Sequence, residues 1–272
     1  MQYYDVAGQM AKEIKADYPV LRSRYADLFC AQNDQCTDEI IFGVEQDGVY
    51  TQTYGSTCFI IKGSVSNEDA ETPKFLGIDA GWGGTLVTPE FMDKFEDDDV
   101  RNLFWGPGMD MTASKSIDVL EFPYGWSSHK FTNLNMDGST PAVINFPETD
   151  FPLFRAADAY LIMAEAQLRG ATTVSEAEGK AAYGAVRSRA GLDDSGYTLS
   201  GLLDERGREL YWECWRRSDL VRYGLLTGSD YLWTWKGGLQ SGRAVDDKYN
   251  IFPIPVSELN SNSNLSQNES WK

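Results

Sequence analysis

The sequence predicts a mainly α chain in which helical hairpins frame long irregular loops and a few short strands. Three observations carry that reading. Residues 153–191 hold two helical patterns, each closed by a glycine, at Gly170 and Gly191. Residues 3–16 repeat apolar side chains at helical spacing. Residues 46–150 lose nearly all periodicity and fill with glycine, proline and aromatic rings.

The opening segment, YYDVAGQMAKEIKA, places Tyr3, Val6, Ala7, Met10 and Ile14 on one stripe, the expected buried face of a first helix. The chain turns at Pro19, and Tyr25, Leu28 and Phe29 mark a short helix. EIIFGVE then reads as one strand. In TPEFMDKFEDDDVR, Thr88 and Pro89 form a helix start, with Phe91, Met92 and Phe95 on a small apolar face. The acidic run from Glu96 to Asp99 reads as a solvated helix end, because a calcium loop needs oxygen ligands at alternating positions and a glycine. LFRAADAYLIMAEAQLRG gathers Phe154, Ala157, Tyr160, Leu161, Ala164 and Leu168 on one broad face. VSEAEGKAAYGAVRSRAG is capped by Ser175, and Ala177, Ala181 and Ala185 are small enough for close packing. Together the two helices resemble a tetratricopeptide-type hairpin. After Gly224 come another aromatic loop, with Trp233 and Trp235 expected to pack or to meet a partner, and a polar tail.

Composition narrows the function. A hydrophobic share of 42% in 272 residues suffices for a packed core, so disorder is not expected. A net charge of -17 repels phosphate backbones and anionic lipid, which excludes nucleic acid as a natural partner. No apolar run is long enough to span a membrane. Cys30, Cys36, Cys58 and Cys214 lack C-x-x-C spacing and are expected to be plain thiols. The single histidine, His129, is expected to be a solvated or hydrogen-bonded loop residue, so histidine-based metal sites and triads are not expected. No metal, cofactor or catalytic residue is expected.

Residues 204–224, DERGRELYWECWRRSDLVRYG, are the most charged stretch, with five acidic and five basic side chains. On one continuous helix Leu203, Gly207, Leu210, Cys214 and Val221 form the packed stripe, flanked by Arg206, Glu209, Glu213 and Arg217. Glu213 would pair with Arg217 at i+4 and Arg206 with Glu209 at i+3. Glu209 and Glu213 could instead be a glycosidase pair, but flanking arginines favour the ionised form and make poor proton donors of them. A structural ion-pair network is the favoured reading, over catalysis or partner docking.

DERGRELYWECWRRSDLVRYG resembles the signature helix of the SusD/RagB family. LFRAADAYLIMAEAQLRG, AVRSRAGL and the ending FPIPVSELNSNSNLSQNESW resemble its other motifs, as do DEIIFGVEQD and FEDDDVR upstream. Ala157-Asp158 stands where the family has Ala-Glu. The resemblance implies a non-enzymatic, surface-exposed outer-membrane lipoprotein of Bacteroidota. Such a protein binds nutrients, mostly glycans, and passes them to a SusC-like TonB-dependent transporter. Its contact with the membrane would be only an N-terminal lipid anchor. It also implies a SusD-like fold, a single domain over 1–272, with residues 45–150 facing ligand and 151–272 forming scaffold and tail. Family chains are usually longer, so the usual N-terminal part is expected to be missing.

Neutral sugars stack C–H faces on aromatic rings. The middle loops offer Tyr50, Tyr54, Trp82, Trp105, Tyr124 and Trp126 as the candidate ligand surface. The alternatives are a peptide-binding or transporter-docking lid of RagB type and, third, a glycoside hydrolase.

Overall fold

The computed structural model describes residues 2–117 and 125–272, and the chain divides into two compact units, Met1–Cys214 and Trp215–Lys272. In the first unit α1 (Gln2–Asp17) leads through two short 3-10 turns to β1 (Ile40–Val44), α2 (Ser56–Gly63), α3 (Thr72–Phe75) and α4 (Pro89–Met92). Then come β2 (Phe104–Trp105), β3 (Ser127–Ser128), β4 (Phe151–Arg155), α5 (Ala156–Leu168), α6 (Glu176–Arg189) and α7 (Leu199–Leu210). The second unit holds α8 (Arg216–Arg222) and α9 (Val256–Ser261) among irregular turns.

Helix α5 is apolar on nearly every side and is therefore central: α1, α6 and α7 all pack on it. It ends at Gly170 (φ 87°), where Gly170 N–H donates to Gln167 O and Ala171 N–H to Ala166 O. This glycine cap repeats at Gly191 after α6. At the other end of α6 the Ser175 hydroxyl accepts from Glu178 N–H while the Glu178 carboxylate accepts from Ser175 N–H. The helical hairpin thus forms where the local signals place it.

Its faces do not all follow the periodicity. Tyr3, Val6, Met10 and Ile14 of α1 are exposed, and the helix meets α5 through Gly8 and Ala11. A methyl group at Gly8 would lie 2.7 Å from Val174 Cγ2 and 3.3 Å from Ala166 Cβ, so the small residues set the contact. On α6, Ala177 and Ala181 face outward, while Gly179, Ala182, Tyr183 and Val186 are buried. Phe154 lies in β4 and not on the helix, opposite Phe42 in an antiparallel pairing with β1. Thr88 precedes α4 as expected, but its hydroxyl makes no capping bond. Asp99 is buried against Arg101 and is not part of a solvated run.

The charged stretch is two helices. Helix α7 stops at Leu210, and Trp212 (φ 61°) and Cys214 (φ 68°) take left-handed conformations before α8. The register that would align Glu213 with Arg217 is therefore absent. Glu213 Oε2 accepts from Arg155 Nε at 2.7 Å and Oε1 from Lys130 Nζ at 2.6 Å. Arg206 pairs with Asp158 at 2.7 Å, not with Glu209. Arg217 donates to Tyr249 O and lies over the Phe252 ring.

Glu209 sits at the network's centre, 2.5 Å from Arg189, 2.9 Å from Arg155 and 3.1 Å from Arg101. Burial alone would raise its carboxyl, but these three guanidinium groups outweigh it and hold the group far below the usual carboxylate range. Arg101 also binds Asp99 and Glu205, and Arg155 binds Glu39. Burial outweighs Arg189 and Arg155 at Glu39 and raises its carboxyl. The residues come from DEIIF, DDDVR, LFR, VRSR and DERGRELYWE, so the separate motifs of the sequence converge through their charges. Lys130 Nζ lies 4.2 Å from the centre of the Phe29 ring and 4.4 Å from that of Tyr211, and burial pushes its ammonium down to about 7. Glu209 and Glu213 are sealed from solvent, so a substrate cannot reach them as a glycosidase pair.

Candidate ligand site

Asp47 shapes the first loop: its Oδ1 accepts from the N–H groups of Val49, Tyr50 and Thr51 at 2.6–2.9 Å. These bonds, led by that from Thr51, lower its carboxyl. The turn leaves Tyr50 90% exposed. Gly48 (φ 70°) is required beside it, because a side chain there would meet Phe146 O at 2.7 Å.

Tyr54 stands just before α2, and Trp82 is held by its N–H donating to Lys62 O at the helix's far end. Gly81 lets the chain pass, since a Cβ would approach Val65 O at 2.5 Å. Tyr54, 70% exposed, lies 5.9 Å from Trp82, which is 36% exposed, and 5.1 Å from Phe146, ring centre to ring centre. Below them Lys62 is buried, pairs with Asp79 and places Nζ 5.3 Å from the centre of the Trp82 ring. Tyr54 and Trp82 thus form a ledge open to solvent, with Phe146 beside them and the Asp79 carboxylate at its rim. Phe146 carries no sequence signal, because it lies in an unpatterned turn and only the tertiary fold brings it to Tyr54.

The other predicted rings lie elsewhere. Trp105, on β2, is half-buried and stacks on His129 at 3.8 Å. It also borders a cavity of about 30 Å³ with Ser64, Ser66, Asp69 and Thr85, room for one or two waters. His129 is accordingly a stacked residue and not a solvated one; burial pushes its imidazole down to about 3, so it is neutral at ordinary pH. Trp126 departs from the expectation of a ligand-facing ring: it is 7% exposed, packs with Val87, Met92 and Phe104, and donates Nε1–H to Ala113 O. Tyr124 lies outside the described residues. The four cysteines are free thiols, three of them buried.

Among the described residues no cluster of His, Cys, Asp or Glu could hold a metal ion, and no helix is long and apolar enough to cross a membrane. The arrangement can hold a flat, uncharged ring face, with the Asp79 carboxylate, paired to Lys62, at its rim.

Comparison with known proteins fits this architecture. The chain is similar to the starch-binding protein SusD of Bacteroides thetaiotaomicron, 32% identical over 99% of this chain and 56% of that protein. It is 30% identical to the SusD-like protein P25 of Formosa agariphila over 70% of this chain and 35% of that one. The chain therefore spans little more than half the length of the first of these relatives and about a third of the second. Among solved structures, surface glycan-binding protein A from Bacteroides thetaiotaomicron matches with a TM-score of 0.74 at 20% identity, over 98% of this chain and 59% of that one. Its complex with laminarihexaose matches with a TM-score of 0.73 at 19% identity, over 98% of this chain and 60% of that one. These structures share the fold. The SusD family profile covers residues 104–271, more than half of the sequence, and the chain belongs to the SusD family.

Proposed function

We propose that the chain is the glycan-holding part of a non-enzymatic cell-surface nutrient receptor. The observation that carries this is the solvent-facing pair Tyr54 and Trp82, backed by Phe146, with the Asp79 carboxylate at the rim. Pyranose rings stack on such surfaces through their C–H faces, with hydroxyls met by polar groups at the rim. Tyr50, projecting from the Asp47 turn, is a further contact for a longer chain. Trp105 serves as packing for the loop through its stack on His129. The relatives named for starch and the laminarihexaose complex support a glucan as the ligand. In the whole receptor the bound glycan passes to a SusC-like TonB-dependent transporter at the outer membrane, where a lipid anchor holds the receptor on the cell-surface side.

Affinity electrophoresis in starch and laminarin gels, followed by calorimetry with maltoheptaose and laminarihexaose, tests the reading. Trp82→Ala is expected to weaken binding by about 5- to 30-fold, the equivalent of about 1–2 kcal/mol of stacking. Binding of a peptide panel in place of any glycan, or glycan binding indifferent to both Trp82→Ala and Tyr54→Ala, would refute it.

A further inference from the structure

The second unit has its own cleft and its own charge. Residues 215–272 carry seven Lys and Arg against six Asp and Glu, whereas residues 1–214 carry seventeen against thirty-five. Within that unit lies an open cleft of about 850 Å³, a volume that suits two or three sugar residues. Trp233, Tyr249, Phe252 and Trp271 line it, together with three cations and Asp246.

The cations are held in place. Arg217 lies with its guanidinium 4.0 Å from the Phe252 ring centre and donates one N–H to Tyr249 O at 2.7 Å. Arg243 donates Nε–H to Gly237 O at 2.8 Å, and its stem passes where a Cβ on Gly237 would stand, 2.8 Å from Arg243 Cγ. Lys236 is buried beneath, 4.6 Å from the centre of the Trp233 ring, with its ammonium donating to Tyr231 O and Gly228 O. Among the described residues neither Arg217 nor Arg243 has a carboxylate partner, and most of their N–H donors are unused. The one acid of the cleft, Asp246, is turned to its own backbone, accepting from Lys248 N–H at 2.8 Å.

We propose that this cleft binds a short, uronate-bearing oligosaccharide, with the carboxylate on Arg217 and Arg243 and the sugar rings on the aromatic walls. A guanidinium fork matches a planar carboxylate in bidentate fashion, and ring faces supply the rest. The acidity of residues 1–214 repels a dense polyanion, so the ligand carries only a few carboxylates. The sugar identity of the ligand rests on the glycan-binding reading above; the anion site does not.

Calorimetry on the full chain with trigalacturonate, its neutral methyl ester, laminarihexaose and an acetylated Glu-Trp-Glu peptide separates the possibilities. Trigalacturonate is expected to bind, and R217Q/R243Q to weaken it by at least about tenfold while leaving laminarihexaose affinity unchanged and lowering the thermal transition by no more than about 4 °C. W82A is expected to do the reverse. Equal binding of trigalacturonate and its methyl ester by the unmodified protein, or no binding of trigalacturonate, overturns the proposal without touching the Tyr54–Trp82 site. Tighter binding of the peptide than of trigalacturonate also overturns it. Failure of laminarihexaose and maltoheptaose alike, with trigalacturonate still bound, counts against the first site and leaves this one.

Discussion

Glu213→Ala removes a carboxylate that is 2% exposed and meets Arg155 at two nitrogens, 2.7 and 2.8 Å, and Lys130 at 2.6 Å. Arg155 keeps Glu209 and Glu39, but Lys130 keeps only two backbone carbonyls and its surrounding rings. Stranding a buried charge in this way costs about 3–5 kcal/mol, against a total stability of about 5–15 kcal/mol for a folded domain. With an m-value of about 3 kcal/mol/M, the urea midpoint falls by about 1–1.7 M. Far-UV circular dichroism during urea titration of the full chain reads this directly. Arg217→Ala is the informative control: if Glu213 depended on an i+4 partner, the two variants would lose similar stability. The structure instead leaves Arg217 half-buried with one carbonyl bond, so that variant is expected to cost under about 1 kcal/mol. A Glu213→Ala midpoint within about 0.3 M of the parent, or equal losses for both variants, would refute the reasoning.

Other perturbations have distinct signatures. Lys130 titrates at about 7 in the fold, below the lysine value in an unfolded chain, so the folded state binds fewer protons and its contribution to stability rises between about pH 7 and 10. Lys130→Met is expected to flatten that rise in the urea midpoint. Glu209 and Glu205 act in the same sense in a lower pH range: both carboxyls are held low in the fold, so the stability they contribute is complete above about pH 4.3 and is lost as pH falls further, which acid titration by circular dichroism follows. Ser175→Ala removes the hydroxyl half of the capping box, while the backbone N–H of residue 175 still donates to Glu178, and is expected to cost about 1 kcal/mol, seen as a lower urea midpoint. Gly8→Val forces α1 off Val174 and Ala166, at a cost of about 1–3 kcal/mol by the same assay.

Much of the helical layout is legible residue by residue, because its signals are local. Ser175, Gly170 and Gly191 act on backbone groups within a few positions of themselves, so the ends of α5 and α6 fall where the sequence places them. EIIFGVE contains β1 for the same reason. The ligand surface is legible only as a region. Tyr50, Tyr54 and Trp82 emerge at solvent, Trp126 enters the core, and Trp105 finds His129, although all five rings lie in similar glycine-rich surroundings.

What the sequence by itself determined is therefore the family, the capped helical hairpin and the presence of a structural network of matched charges. Tertiary structure decided which charges match and which faces are buried. Arg155 meets Glu213 across 58 residues and Glu39 across 116, separations that no helical wheel contains. The backbone reversal at Trp212 and Cys214 ends the wheel on which Glu213 and Arg217 would have met. Helix α1 shows the same physics: close approach to α5 is set by the small volume of Gly8 and Ala11, and that geometry, not hydrophobic spacing, leaves Tyr3, Val6 and Met10 facing solvent.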